Sequence, residues 1–266
     1  MNAISIGPLV LASDRAAAIA GLFAFMFVAG MVARRVDERI GRWSLWALLG
    51  GILVARIVHV AIHWSSFAGD PLRAFAVWQG GFYWPAGLAA ALAAILFFLD
   101  TRWARLASLV PIAVGLFVWN AAYRLTAGVE AIPLPHTSFQ TMTGNSVELA
   151  ALSGRPMVLN LWASWCPPCR REMPMMADVA VNSPGVSLIF ANQGEEIGQI
   201  TSYLDKEKLT FPLMLLDGLG ELGRHYKVPG LPATLFIAPD GRLVDVHLGE
   251  ISREILVEKM RRLGSS

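Results

Sequence analysis

Cys166 and Cys169 are the only cysteines among 266 residues, and they stand two residues apart in Trp165-Cys166-Pro167-Pro168-Cys169. That spacing restricts the chemistry they can perform. A structural zinc centre takes about four Cys or His ligands, and no second Cys pair or His cluster stands near. A stabilising crosslink joins distant segments, whereas two intervening residues close almost no loop. A reversible dithiol/disulfide couple remains.

The flanks have to position that couple. The run Met157 to Trp162 reads as a buried strand, and Cys169 to Ala180 reads as a helix with Arg170, Arg171 and Glu172 on its solvated face. Cys166 then lies at a strand-to-helix junction, where unpaired amides and the helix dipole favour an anion and lower a thiol pKa. Cys166 is therefore the expected nucleophile. Cys169, one turn in and more buried, is the expected thiol that resolves a mixed disulfide.

Downstream, strand-like runs at Val186 to Ala191 and Phe211 to Leu216 frame a polar helix near Glu195 to Lys206, and a short helix ends near Tyr226. Val228-Pro229-Gly230-Leu231-Pro232-Ala233-Thr234 then leads into Leu235-Phe236-Ile237 and a turn at Pro239-Asp240-Gly241. From about residue 133 to 264 this succession resembles the thioredoxin superfamily, an α/β fold. In that superfamily a cis proline before the corresponding strand faces the dithiol, and Pro232 matches it. A plain turn proline is the alternative.

The stretch Asn160-Leu161-Trp162-Ala163-Ser164-Trp165-Cys166-Pro167-Pro168-Cys169-Arg170-Arg171-Glu172-Met173-Pro174 resembles, more narrowly, the TlpA/ResA branch of membrane-tethered bacterial disulfide reductases. The resemblance implies that Trp165, Pro167, Pro168, Leu231 and Pro232 contact substrate. Thioredoxin has a buried Asp where this chain has Asn160. An amide cannot exchange a proton, so another group must assist Cys169. Glu195, in Asn192-Gln193-Gly194-Glu195, matches the place where that branch is expected to carry an active-site Glu, with Glu196 its close neighbour. A solvated carboxylate stabilised at a helix start is the other reading.

The first half is a different material. Residues 1–127 carry ten Arg, no Lys and five acids, and almost all of the chain's excess hydrophobicity gathers there in four runs. These are Ala16 to Ala33, Ser44 to Trp64, Phe75 to Leu99 and Arg105 to Leu125, each near the length of roughly 20 residues that crosses a bilayer. Four transmembrane helices are expected over residues 1–127, a linker over 128–136 and the thioredoxin-like domain over 137–266. Nothing resembling a cleavable leader precedes the first run, so it reads as an uncleaved anchor. Arg34, Arg35, Arg39, Arg42, Arg102 and Arg105 lie on one side of the membrane, against Arg15, Arg73 and Arg124 on the other. The positive-inside rule then puts both termini and the thioredoxin-like domain outside the cytoplasm of a bacterial inner membrane.

Within the membrane half, Ile4-Ser5-Ile6-Gly7-Pro8-Leu9, Gly50 to Arg56, Asp70-Pro71-Leu72 and Val77-Trp78-Gln79-Gly80-Gly81 resemble the first part of prolipoprotein diacylglyceryl transferase. That family's His-Gly-Gly is Pro85-Ala86-Gly87 here, and Gly115 to Asn120 lacks the arginine of its later signature. Without the base and that arginine, acyl transfer is not expected, and a retained membrane scaffold is. Arg56, His59 and His63 share one helical stripe, and Asn120 and Arg124 form another pair. The two histidines read as a haem or quinone contact, or as a hydrogen-bonding pair at a helix end. Gly80 and Gly81 permit close packing or a helix break. Trp43, Trp46, Trp64, Trp78 and Trp103 are placed in an interfacial belt.

These readings combine into a membrane-anchored extracytoplasmic thiol–disulfide oxidoreductase acting in the reducing direction on periplasmic protein disulfides. No cofactor is expected beyond the Cys166/Cys169 couple, and no metal. The membrane half has no cysteine, so the resemblance implies a separate thiol donor of DsbD or CcdA type. Residues 128–266 hold twelve basic and fifteen acidic side chains, which excludes a nucleic-acid surface. An oxidase or isomerase is the same-class alternative. A membrane or lipoprotein docking protein with a redox-sensing domain is the alternative from another class.

Overall fold

The computed structural model describes residues 3–6, 9–126, 128 and 130–264, with backbone alone for 3–6 and 9–11. Ala127 at the end of the expected membrane part, Val129 of the expected linker, and Gly7 and Pro8 of the opening motif lie outside the described residues. Two compact units form, Met1–Gly128 and Val129–Ser266.

In the first unit an antiparallel pair, β1 (Ala3–Ile6) and β2 (Leu9–Ala12), leads into α1 (Ser13–Arg35), α2 (Arg39–Ile62), a single turn α3 (Trp64–Phe67), α4 (Trp84–Phe98) and α5 (Arg102–Thr126). With 23, 24 and 25 residues, α1, α2 and α5 are long and apolar enough to cross a bilayer. At about 1.5 Å per residue each exceeds the roughly 30 Å hydrocarbon core.

The third expected span is different. Its first part, from Phe75, is not continuous helix, and α4 has only 15 residues. Pro71–Phe75 and Val77–Gln79 form 3₁₀ turns, after which Gly80 and Gly81 take φ of 84° and 81°. That left-handed backbone breaks the helix, which restarts at Trp84 with a proline in its first turn. A Cβ on Gly81 would lie 2.6 Å from His59 Nε2 and 2.9 Å from Arg56 Nη1, so crowding demands glycine as well. Arg56 is buried and donates to the carbonyls of Ala74 (2.9 Å), Gly80 (2.7 Å), Gly81 (2.9 Å) and Arg73 (3.1 Å). The charge is thereby solvated by backbone, and the 73–81 segment is pinned to α2. His63 Nδ1 lies 3.0 Å from the His59 carbonyl, and Arg124 Nε donates to Asn120 Oδ1 at 3.1 Å.

Trp43 departs from the belt expected for it. It is fully buried, donates to the Ala91 carbonyl at 3.3 Å and meets Phe25 edge-on. The cause is its position one turn from Ile40 and Ala47 on the packed stripe of α2, while Trp46, Trp64, Trp78 and Trp103 stay exposed. On the same stripe Gly51 meets Gly87 of α4, where a Cβ on Gly87 would come within 2.7 Å of the Gly51 carbonyl.

The second unit is a seven-stranded sheet in the order β4-β3-β7-β6-β5-β8-β9. In chain order its elements are β3 (Ser138–Thr141), β4 (Ser146–Glu148), β5 (Met157–Trp162), α6 (Pro167–Val181), β6 (Ser187–Gln193), α7 (Ile197–Glu207), β7 (Met214–Asp217), α8 (Glu221–His225), β8 (Ala233–Ile237), β9 (Leu243–Leu248) and α9 (Arg253–Leu263). β5 runs parallel to β6 and antiparallel to β8. All six β5 residues are buried because both faces of the sheet are covered. Val158 and Trp162 pack with Met173, Met176, Phe190 and Leu256 on one face, and Leu159 and Leu161 with Leu149, Leu215 and Leu235 on the other. This is the thioredoxin-like α/β arrangement.

Candidate active site

β5 ends at Trp162, and after three residues Cys166 caps the N-terminus of α6 with extended backbone (φ −88°, ψ 108°). Pro167 and Pro168 occupy the first helical positions, where a missing N–H leaves no helical hydrogen bond unmade. The Cys169 N–H donates to Cys166 Sγ at 3.3 Å, the backbone contact that would stabilise a thiolate there. The two cysteines are joined as a disulfide with a Cα–Cα distance of 5.3 Å. Cys169 is fully enclosed, while Cys166 retains a small exposed edge beside the exposed Trp165.

Register brings the other expected residues to this end of the sheet. Leu161 of β5 pairs with Ala233 of β8, so Leu231 and Pro232 arrive beside the loop that carries Cys166. The Leu231–Pro232 peptide is cis. The Pro232 carbonyl is taken by the Gly249 N–H at 2.9 Å, and Leu231 packs against the cluster containing both cysteines. Pro167 is exposed and Pro168 half-buried.

Glu195 is half-buried, and both its carboxylate oxygens are engaged. It accepts from the Ser164 N–H (2.6 Å), from the Ser164 hydroxyl and from Asn192 Nδ2 (2.6 Å). Its geometry is that of a staple between the loop after β6 and the loop before Cys166. Glu196 is the N-cap of α7, in a reciprocal capping box with Gln199.

Glu172 corrects the expectation that it faces water. It is 2% exposed and lies on the buried stripe of α6 with Cys169, Met173, Met176 and Val179. The i to i+3 spacing sets it next to Cys169. Oε1 accepts from Asn160 Nδ2 at 2.9 Å, and Oε2 accepts from the Ile251 N–H at 2.9 Å. Burial pushes its pKa from 4.5 up to about 8. The bonds from Ile251 and Asn160 oppose that rise, a smaller push comes from Glu250, and Arg171 pulls down. Asn160 Nδ2 also donates to Thr234 Oγ1 at 3.2 Å, and Asn160 Oδ1 is buried without a hydrogen-bond partner among the described residues. A signal for Glu172 was present in the sequence: its position falls in the apolar stripe that starts at Cys169. A carboxyl in such a stripe is the informative exception to burial rules.

A disulfide at a strand-to-helix turn, a cis proline leading into the neighbouring strand and a buried carboxyl one helical turn beyond the inner cysteine define a thioredoxin-like thiol–disulfide oxidoreductase. Residues 130–262 match the family model described as Redoxin, half of the chain, and the chain belongs to that family. Residues 2–126 match the model described as Prolipoprotein diacylglyceryl transferase, so the two halves resemble two families joined in one chain. Among curated relatives, the thiol-disulfide oxidoreductase ResA of Halalkalibacterium halodurans is 32% identical over 168 residues, 59% of this chain and 92% of its own length. ResA of Bacillus subtilis is 30% identical, covering 56% of this chain and 84% of that protein. A secreted Mycobacterium tuberculosis disulfide oxidoreductase of known structure is 28% identical, covering 48% of this chain and 96% of that chain, with a TM-score of 0.44.

Proposed function

We propose that this protein is a membrane-anchored extracytoplasmic reductase of protein disulfides, with Cys166 as nucleophile, Cys169 as resolving thiol and Glu172 as the group that takes the Cys169 proton. The observation that carries the reading is the buried Glu172 carboxyl one helical turn from Cys169. Asn160 cannot serve that purpose, and Glu195 is engaged in holding the Ser164 loop. Glu195 is thus a positioning residue.

The Cys166 thiolate, favoured by the N-terminus of α6, attacks one sulfur of the substrate disulfide and expels the other as a thiolate. Glu172 then accepts the Cys169 proton. The Cys169 thiolate attacks Cys166 Sγ, breaking the mixed disulfide and releasing the second substrate thiolate. Two electrons pass to the substrate, whose thiolates take up two protons, and the Cys166–Cys169 disulfide remains. Trp165, Pro167, Pro168 and the Leu231–Pro232 edge form the surface on which the substrate chain lies.

The reducing direction draws support from the resemblance of the stretch Asn160 to Pro174 to the TlpA/ResA branch of disulfide reductases. Re-reduction requires an outside dithiol, because residues 1–127 contain no cysteine. A membrane thiol donor of DsbD or CcdA type fits that need. The arginine distribution supports an extracytoplasmic second unit. The test is reduction of a protein disulfide by the full-length chain in detergent with dithiothreitol as electron source. Cys166→Ser is expected to abolish turnover above the dithiothreitol background, and retention of full turnover would reject the reading.

A further inference from the structure

Arg171 and Glu250 flank Glu172 and take part in no step above. Arg171 Nε donates to Glu250 Oε2 at 2.8 Å, and Nη2 lies 2.7 Å from the same oxygen. Arg171 adjoins Glu172 on α6, and Glu250 adjoins Ile251, whose N–H is bonded to Glu172. The ion pair therefore closes a ring of contacts around that bond. The Glu250 side chain is 6% exposed and that of Arg171 52%, so the guanidinium forms the outer layer over two inner carboxyls. A second bridge, Arg253 Nη1 to Asp178 Oδ2 at 2.5 Å, ties the start of α9 to the same helix. His247 Nε2 is 3.3 Å from the Glu250 carbonyl, and Glu254 is buried in the first turn of α9. From β5 and β8 the neighbours are the uncharged Asn160 and Thr234.

Resting on the assignment of Glu172 as proton acceptor for Cys169, we propose that the Arg171–Glu250 pair is a lid that clamps the 249–252 loop over Glu172, excludes water and holds the carboxyl against Cys169. Truncating either partner removes this ion pair and loosens the tie between the 249–252 loop and α6. Water then reaches Glu172 and relieves the desolvation that dominates its titration. Charge acting through space predicts something else. Arg171 favours the Glu172 anion and Glu250 opposes it, so loss of Arg171 and loss of Glu250 would move the titration in opposite directions.

The experiment is single-turnover reaction of the reduced full-length protein in detergent with oxidised glutathione. The Cys166–glutathione mixed disulfide is followed by acid quench and mass spectrometry from pH 5 to 9. The rate of its resolution by Cys169 tracks the Glu172 carboxylate. A lid predicts that Arg171→Ala and Glu250→Ala both move the inflection down by about one pH unit, a tenfold faster resolution at fixed low pH, with Arg171→Lys near wild type. Any pattern in which the two alanine variants do not both move it down overturns the lid. Glu172→Gln separates the two levels. If it keeps the wild-type inflection, the assignment of Glu172 has failed; if it erases the inflection while the lid variants leave it in place, only the lid has failed.

Discussion

Replacing Glu172 with Gln should make the C-terminal unit more stable and the enzyme slower. The carboxyl titrates at about 8 in the folded protein against an ordinary value of 4.5. Its folded pKa is raised, so the acid form favours the native state. That contribution is fully present below pH 4.5 and is lost as pH rises through 8. At pH 7 the unfolded chain is ionised and the folded site is not, which costs about 3 kcal/mol at about 1.4 kcal/mol per pH unit. Gln removes this term. Its carbonyl can still accept from Ile251, and its amide meets Asn160, whose unpartnered Oδ1 can turn to accept. Urea unfolding of residues 129–266, expressed alone, should show wild type losing stability between pH 5 and 8 and Glu172→Gln nearly flat. The variant should lead by about 2 to 3 kcal/mol at pH 7 and hold no advantage near pH 4.5. Resolution of the mixed disulfide should slow by about 100-fold, the scale of a lost general base. Parallel stability curves for the two proteins, or an unchanged resolution rate, would refute the reasoning.

Cys169→Ser should trap a Cys166-linked mixed disulfide with substrate, visible as an adduct on non-reducing electrophoresis, while Cys166→Ser traps none. Gly81→Ala should destabilise the helical unit by about 2 kcal/mol or more, because it forces a side chain into left-handed backbone. The added Cβ would also meet His59 and Arg56. A lowered melting temperature of the detergent-solubilised protein, with Cys166 reactivity unchanged, checks it.

The dithiol was legible because its chemistry is local: Cys spacing, a strand ending at Trp162 and two prolines opening a helix are adjacent in the chain. β5 is legible at its full extent because it is apolar from Met157 to Trp162 except for Asn160. Glu172 was misread because a charge beside Arg170 and Arg171 looks solvated. What buries it is the loop at Ile251, 79 residues away. The third membrane run was misread as one helix because its composition stays apolar while Gly80 and Gly81 reverse its backbone. Trp43 was assigned by residue type, whereas its burial follows from its register with Ile40 and Ala47. The edge strands β4 and β9, and β3 next to β4, are short or half-exposed, and they gain definition only from pairing with the rest of the sheet.

The reduction potential of the Cys166/Cys169 couple tests the central claim most directly. It is measured on the full-length protein in detergent by equilibration against glutathione and dithiothreitol buffers and quantified by thiol alkylation. A disulfide reductase predicts a value near or below that of thioredoxin, roughly −270 mV. A value near the strongly oxidising end, roughly −120 mV, would contradict it and make the protein a disulfide donor.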